Sequence, residues 1–218
     1  MANKASILLF DLDGTLTDPK EGILNSVHYA LKKKGITENY PEELLRFIGP
    51  PLHLSFKNRY HLSDNDAFEM VRIFREYFAE KGIFENTLYP GIIELLTELK
   101  NQNKTISLAT AKPTHFAKQV IEHFKIAPFV DFIAGANADG SRTDKKEIVA
   151  YAKEISGNKS DSEYLMIGDR EYDILGAHFN KVKACWVTYG YGEEAIVLKE
   201  KPEYICQTVS ALSDLLLT

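Results

Sequence analysis

Asp11-Leu12-Asp13-Gly14-Thr15-Leu16-Thr17 follows directly on the apolar run Ile7-Leu8-Leu9-Phe10. A run that is apolar throughout, rather than alternating, suits a strand covered on both faces of a parallel sheet. Ligands of open α/β sheets bind outside the carboxyl ends of the strands. The two carboxylates that follow Phe10 therefore stand where chemistry is expected. Asp11 and Asp13 are two positions apart and, on a continuing strand, point to one side. One can serve as nucleophile or metal ligand while the other works as general acid and base. Taken alone, Asp13-Gly14 is also ordinary turn chemistry.

The same texture recurs outward from this stretch. Apolar runs lie at Thr105 to Ala109, Phe129 to Ala134, Tyr164 to Ile167, Ala184 to Tyr189 and Tyr204 to Cys206. Helical stripes separate them: Ile92, Leu95, Leu96 and Leu99; Phe116, Val120, Ile121 and Phe124; Ile148, Ala152 and Ile155. Strands alternating with amphipathic helices predict a doubly wound, Rossmann-like α/β domain with a parallel sheet. Between Asp18 and about Asn86 the alternation stops. Only helix signals remain there, with Ile23, Leu24, Val27, Ala30 and Leu31 on one stripe and Met70, Val71, Phe74 and Phe78 on another. The expected organisation is an α/β core made of 1–16 and 87–218, interrupted by an all-helical domain over 17–86. Lys32-Lys33-Lys34 before Gly35 reads as a solvated helix end, where cations suit the dipole.

The chain has 218 residues, 44% hydrophobic and 26% charged, which is an ordinary globular composition. Lys and Arg number 26 against 31 Asp and Glu, a net charge of −5. That balance argues against nucleic acid as a partner, because duplex affinity rests on cations that neutralise phosphates. Cys185 and Cys206 sit in strand-like runs and read as buried reduced thiols, and the expected location is the cytoplasm. No apolar run reaches the ~18–20 residues of a membrane helix, and Met1 to Lys4 leads into too short an apolar run for a signal peptide. A monomer or homodimer is expected.

Two further strand ends carry polar residues. Thr110-Ala111-Lys112 follows Ala109, and Gly168-Asp169 follows Ile167 with Asp173 four residues on. Carboxylates gathered at one sheet edge repel unless a cation or a proton sits among them. An all-oxygen donor set favours Mg²⁺ over zinc. Each residue also has a plainer reading: Asp169 as a helix cap, Asp173 as a solvated helix residue, Thr110 as a cap before Pro113. The six histidines show no zinc-binding spacing. Gly190 and Gly192 read as a flexible turn after a strand, and Trp186 as core.

In combination and order these segments resemble the haloacid-dehalogenase-like hydrolase superfamily, its helical-cap phosphatase branch in particular. Asp11 to Thr17 is similar to the first motif, Thr110 to the second, Lys145 to the third and Gly168 to Asp173 to the fourth. The resemblance implies that Asp11 attacks phosphorus and that Asp13 protonates the leaving oxygen, then activates water. Thr110 would bind the phosphoryl group, and Lys145 would neutralise it and hold Asp11. Mg²⁺ would be held by Asp11, the Asp13 carbonyl and Asp169, with Asp173 in support. Gly14, Thr15, Ala111, Lys112 and Arg46 would contact substrate, with Lys57 as a further cap cation. Ile48 to Leu52, Ala109 to Pro113 and Met166 to Arg170 resemble the phosphoglycolate phosphatase and 5′-nucleotidase-like group. Gly135-Ala136, Asp139 to Arg142 and Tyr189 to Gly192 fit its nucleotidase-like members. The partner implied is a small phosphorylated metabolite. A sugar phosphomutase, a dehalogenase and a non-catalytic phospho-ligand binder share the fold. Asp13 argues against the dehalogenase, and the intact carboxylate set against the binder.

Overall fold

The computed structural model describes residues 5–218 apart from 138 and 140. The reading of Met1 to Lys4, and Gly140 in the Asp139 to Arg142 segment, lie outside the described residues. The chain divides into two compact units, one formed by 1–18 with 88–218 and the other by 19–87.

The first unit is built on six parallel strands: β1 (Ile7–Phe10), β4 (Thr105–Pro113), β5 (Phe132–Ala136), β6 (Tyr164–Gly168), β7 (Lys183–Val187) and β8 (Tyr204–Cys206). Two-residue strands β2 (Thr17–Asp18) and β3 (Thr87–Leu88) mark the points where the chain passes between the units. The sheet order is β5-β4-β1-β6-β7-β8. Every residue of β1 and of β6 is buried, as two covered faces require. Phe10 pairs with Leu108 on one side and with Ile167 on the other. From β1 the chain eventually returns at β4, whereas β6 continues to β7 on the opposite side. The neighbours β1 and β6 therefore diverge at their carboxyl ends, and such a switch point opens a crevice.

Helices α4 (Ile92–Asn101), α5 (Thr114–His123), α6 (Lys145–Ile155), α7 (Glu171–Phe179) and α9 (Val209–Leu217) flank the sheet, and the short α8 (Glu194–Val197) follows β7. The buried face of α4 is Ile92, Leu95, Leu96 and Leu99, the stripe expected from spacing. One side of the sheet packs Leu9, Met166, Ala184 and Trp186 against Ile148, Ala152, Ile174 and Ala177. Burying a Leu or Ile side chain is worth about 1.5–3 kcal/mol, so these stripes are what fix the helices to the sheet.

β5 begins three residues later than its apolar run. Ala127–Phe129 forms a 3-10 turn around Pro128, and the Asp131 carboxylate accepts the Ile106 N–H at 2.8 Å. A side chain thus takes the place of a ladder partner, and strand pairing starts only after it. β4 extends past its apolar run to Pro113, with a break in register after Thr110.

The second unit is helical: α1 (Lys20–Lys34), a 3-10 segment over Pro41–Phe47, α2 (Leu52–Tyr60), α3 (Asp64–Tyr77) and a π turn over Phe78–Gly82. α1 buries Ile23, Val27, Ala30 and Leu31 and ends at Gly35 in the left-handed conformation. The Ile36 N–H closes back on the Leu31 carbonyl at 3.0 Å, which satisfies an orphan acceptor of the last turn. Ser63 caps α3 by accepting the Asp66 N–H. Phe47, Phe56, Phe74 and Phe78 form its aromatic centre. Among the described residues no helix is long and apolar enough to cross a membrane.

Candidate active site

Asp11 is the first residue beyond β1. Its N–H donates to the Ile167 carbonyl of β6 at 2.9 Å, so the two strands position it together. Its Oδ1 accepts the Leu12 N–H at 2.7 Å and its Oδ2 lies 2.9 Å from the Lys145 ammonium. Lys145 opens α6, where Asp144 caps the helix through the Lys146 N–H at 2.8 Å. The buried Lys145 Nζ also reaches Asp173 Oδ1 at 2.6 Å and donates to the Ala109 carbonyl at 2.8 Å. Its three protons thus face three acceptors. Burial works against this charge, but Asp11 and Asp173 outweigh it and hold the ammonium above the ordinary lysine pKa.

Asp169 and Asp173 complete the edge. Asp173 sits in the first turn of α7, fully buried, and its Oδ2 accepts the Arg170 N–H at 3.0 Å. Burial raises its carboxyl to about 6; Lys145 opposes this and Asp11 adds to it. Asp169 is driven well above the usual carboxylate range, first by burial and then by Asp173 and Asp11. Its Oδ2 accepts the Tyr191 N–H at 2.7 Å, while its Oδ1 is buried without a hydrogen-bond partner. One carboxylate oxygen from each of Asp11, Asp169 and Asp173 lies within 4.8 Å of the others. Three buried carboxylates, two of them meeting Lys145 and the third with one oxygen orphaned, fit a hard divalent cation such as Mg²⁺, which would favour their charged forms.

Asp13 turns away from that cluster. Its Oδ2 pairs with the Lys112 ammonium at 2.6 Å, and Thr17 Oγ1 approaches Oδ1 at 3.5 Å. The Asp13 carboxylate lies outside the cluster of Asp11, Asp169 and Asp173, and its backbone carbonyl stays the candidate ligand. Thr110 is buried, and its Oγ1 accepts the Lys112 N–H at 3.2 Å. Ala111 between them is half-buried. The Thr15 Oγ1 is buried and has no hydrogen-bond partner. Arg46 belongs to the helical unit, where it is exposed and paired with Glu43 at 2.8 Å. Lys57, in the same unit, pairs with Asp64 at 2.6 Å.

Glycines shape the site more than sequence reasoning allowed. Gly14 has φ +84°, and a Cβ there would overlap the Asp169 carboxylate. Gly190 and Gly192 are not a free turn. A Cβ on Gly190 would overlap Asp169 and the Gly14 carbonyl, and one on Gly192 the Asp169 carbonyl. The Tyr189 to Gly192 segment is thus pressed onto Asp169, and Tyr191 supplies its hydrogen bond from there. Trp186, core as expected, also donates its indole N–H to the Asp169 carbonyl at 3.0 Å. A Gly-x-Gly following a strand was the available signal for this loop. Lys146, next to Lys145, turns its ammonium over the Phe179 ring instead.

A family model described as haloacid dehalogenase-like hydrolase matches residues 8–187. A 5′-nucleotidase of Pseudomonas aeruginosa is 41% identical over 209 residues, covering 96% of this chain and 94% of that protein. The tyrosine-protein kinase PtkA of Mycobacterium tuberculosis is 32% identical over 193 residues, 88% of this chain and 65% of that protein. The crystal structure of a predicted phosphatase from Clostridium acetobutylicum superposes with a TM-score of 0.91 at 42% identity, covering 95% of this chain and 96% of that one.

Proposed function

The chain belongs to the haloacid dehalogenase-like hydrolases, and from that premise we propose that it is a Mg²⁺-dependent phosphatase of small phosphate monoesters. A nucleoside 5′-monophosphate or phosphoglycolate is the substrate type. The observation that carries this reading is the buried Asp11 carboxylate, set at the switch point beyond β1 and fixed between Lys145 and the Leu12 N–H.

In this reading Asp11 attacks phosphorus and the bond to the leaving oxygen breaks. Asp13 gives that oxygen a proton, then takes one from the water that releases phosphate from Asp11. Thr110 donates its hydroxyl to a phosphoryl oxygen. Lys145 keeps Asp11 aimed and balances charge, which matters because phosphoryl transfer depends on positioning and neutralisation. Asp11, Asp169, Asp173 and the Asp13 carbonyl would hold the metal, which supplies Lewis-acid neutralisation of the phosphoryl oxygens. The helical unit serves as a cap that selects substrate, with Arg46 and Lys57 as its cations. The free, buried Cys185 and Cys206 support a reducing, cytoplasmic setting.

The test is phosphate release, with Mg²⁺ or with a chelator, from nucleoside 5′-monophosphates, phosphoglycolate, sugar phosphates and nitrophenyl phosphate. Because one relative is named a tyrosine kinase, ATP with a tyrosine peptide is included. Mg²⁺-dependent release with one favoured substrate supports the reading. Phosphorylated peptide, or an isomerised sugar phosphate, without release contradicts it.

A further inference from the structure

Strand β4 loses register with β5 between Thr110 and Pro113. Bulges of this kind re-aim a side chain and recur beside active sites. Gly135 on β5 makes the room: a Cβ there would lie 2.8 Å from the Lys112 carbonyl and 2.8 Å from Thr114 Oγ1. The bulge sends the Lys112 side chain inward, where it is 5% exposed and sits 2.6 Å from Asp13 Oδ2. Lysines are almost never this buried unless paired. The same residue's N–H is tied to Thr110 Oγ1. Backbone, neighbouring glycine and ion pair all serve one placement, and its target is Asp13. Asp11 already has its own lysine in Lys145.

We propose that Lys112 is a positioning residue that holds the Asp13 carboxyl in line for the leaving oxygen, rather than a residue that grips the substrate's phosphoryl group. The proposal rests on the phosphatase reading above. As the bond from phosphorus to the leaving oxygen breaks, its electron pair stays on that oxygen and the Asp13 proton passes to it. The Asp13 carboxylate remains beside the Lys112 ammonium. In the second half, water's oxygen bonds phosphorus, its proton returns to Asp13, and the Asp11 carboxylate departs. A lysine that gripped phosphate would serve every substrate alike. A lysine that aims Asp13 matters for phosphoryl transfer to Asp11 only where the leaving group needs a proton, and the water step that follows is common to every substrate.

The experiment compares kcat and KM for wild type, Lys112→Met and Lys112→Gln on an alkyl phosphate and on nitrophenyl phosphate. Removing the aim of a general acid is expected to lower kcat on the alkyl ester about 10²-fold. On nitrophenyl phosphate, whose leaving group departs without protonation, the loss in first-turnover nitrophenol release, which precedes the water step, stays below about 5-fold, with KM on both within about 2-fold. In an Asp13→Asn background, Lys112→Met should then change the alkyl rate no further, since the two act through one proton. Equal losses on both esters with a raised KM would overturn the proposal in favour of phosphate binding. Additive losses in the double variant would overturn it as well. Wild-type protein that turns over neither ester would instead overturn the phosphatase reading, and this one with it. The Gln variant carries the same comparison if the Met variant fails to fold.

Discussion

Without a cation, the protein should lose stability as pH rises, and a divalent cation should restore it most at high pH. The Asp173 carboxyl is raised from 3.8 to about 6, by burial first, with Lys145 opposing and Asp11 adding. Asp169 is displaced further in the same direction by burial, Asp173 and Asp11. Both groups hold their protons more tightly in the folded state. Their contribution is fully present below the unfolded pKa and is lost as pH rises through the folded one. For Asp173 the step from 3.8 to about 6 converts, at about 1.4 kcal/mol per tenfold, into about 3 kcal/mol. A cation held by the three carboxylates removes that repulsion. At free Mg²⁺ a hundredfold above its Kd the gain is about 2.7 kcal/mol, or about 5–11 °C in Tm for a chain of this size. At about pH 5 the cation must first displace protons, so the gain there should fall below about half. The assay is thermal unfolding followed by circular dichroism at about pH 5 and about pH 8, with chelator or with Mg²⁺. A Tm rise as large at the lower pH as at the higher, or none at either, would refute the reasoning.

Other perturbations separate the roles within the site. Asp11→Asn keeps the acceptor for the Leu12 N–H but turns an amide N–H toward the Lys145 ammonium and removes the proposed nucleophile, so turnover should fall at least about 10⁴-fold while circular dichroism still reports the native fold. Lys145→Met leaves Asp11 and Asp173 buried without their ammonium and should cost about 3–5 kcal/mol, read from the urea midpoint at neutral pH. Gly192→Ala drives a methyl into the Asp169 carbonyl; it should cost about 1–3 kcal/mol and raise the Mg²⁺ concentration needed for half-maximal activity.

Much of this arrangement was visible in the chain because parallel sheets advertise themselves. Ile7 to Phe10 and Tyr164 to Ile167 are apolar without alternation, so the polar residues that follow them had to fall at one sheet edge. That logic places Asp11 and Asp169 at one edge of the sheet, and the pairing of β1 with β6 is what makes them neighbours. Lys145 was legible only through resemblance: a lysine after a helix cap is otherwise a solvated residue. Asp173 has the same plain reading in isolation, and it is buried because Lys145 is there to meet it. The delayed start of β5 was hidden because it depends on one carboxylate, Asp131, reaching the backbone of the next strand. The Lys112 to Asp13 pair and the closeness of Gly190 and Gly192 to Asp169 were hidden for a related reason. A bulge and a close backbone approach are products of tertiary packing, and neither leaves a periodic trace.

The central claim is that Asp11 carries the phosphoryl group between substrate and water. The direct measurement mixes the protein and Mg²⁺ with a nucleoside 5′-monophosphate bearing a radiolabelled phosphate, quenches in acid within milliseconds and maps label in the digested protein. The account predicts transient label on the peptide that contains Asp11, absent in Asp11→Asn. Phosphate release at full rate with no label on that peptide, or undiminished release by Asp11→Asn, would contradict it.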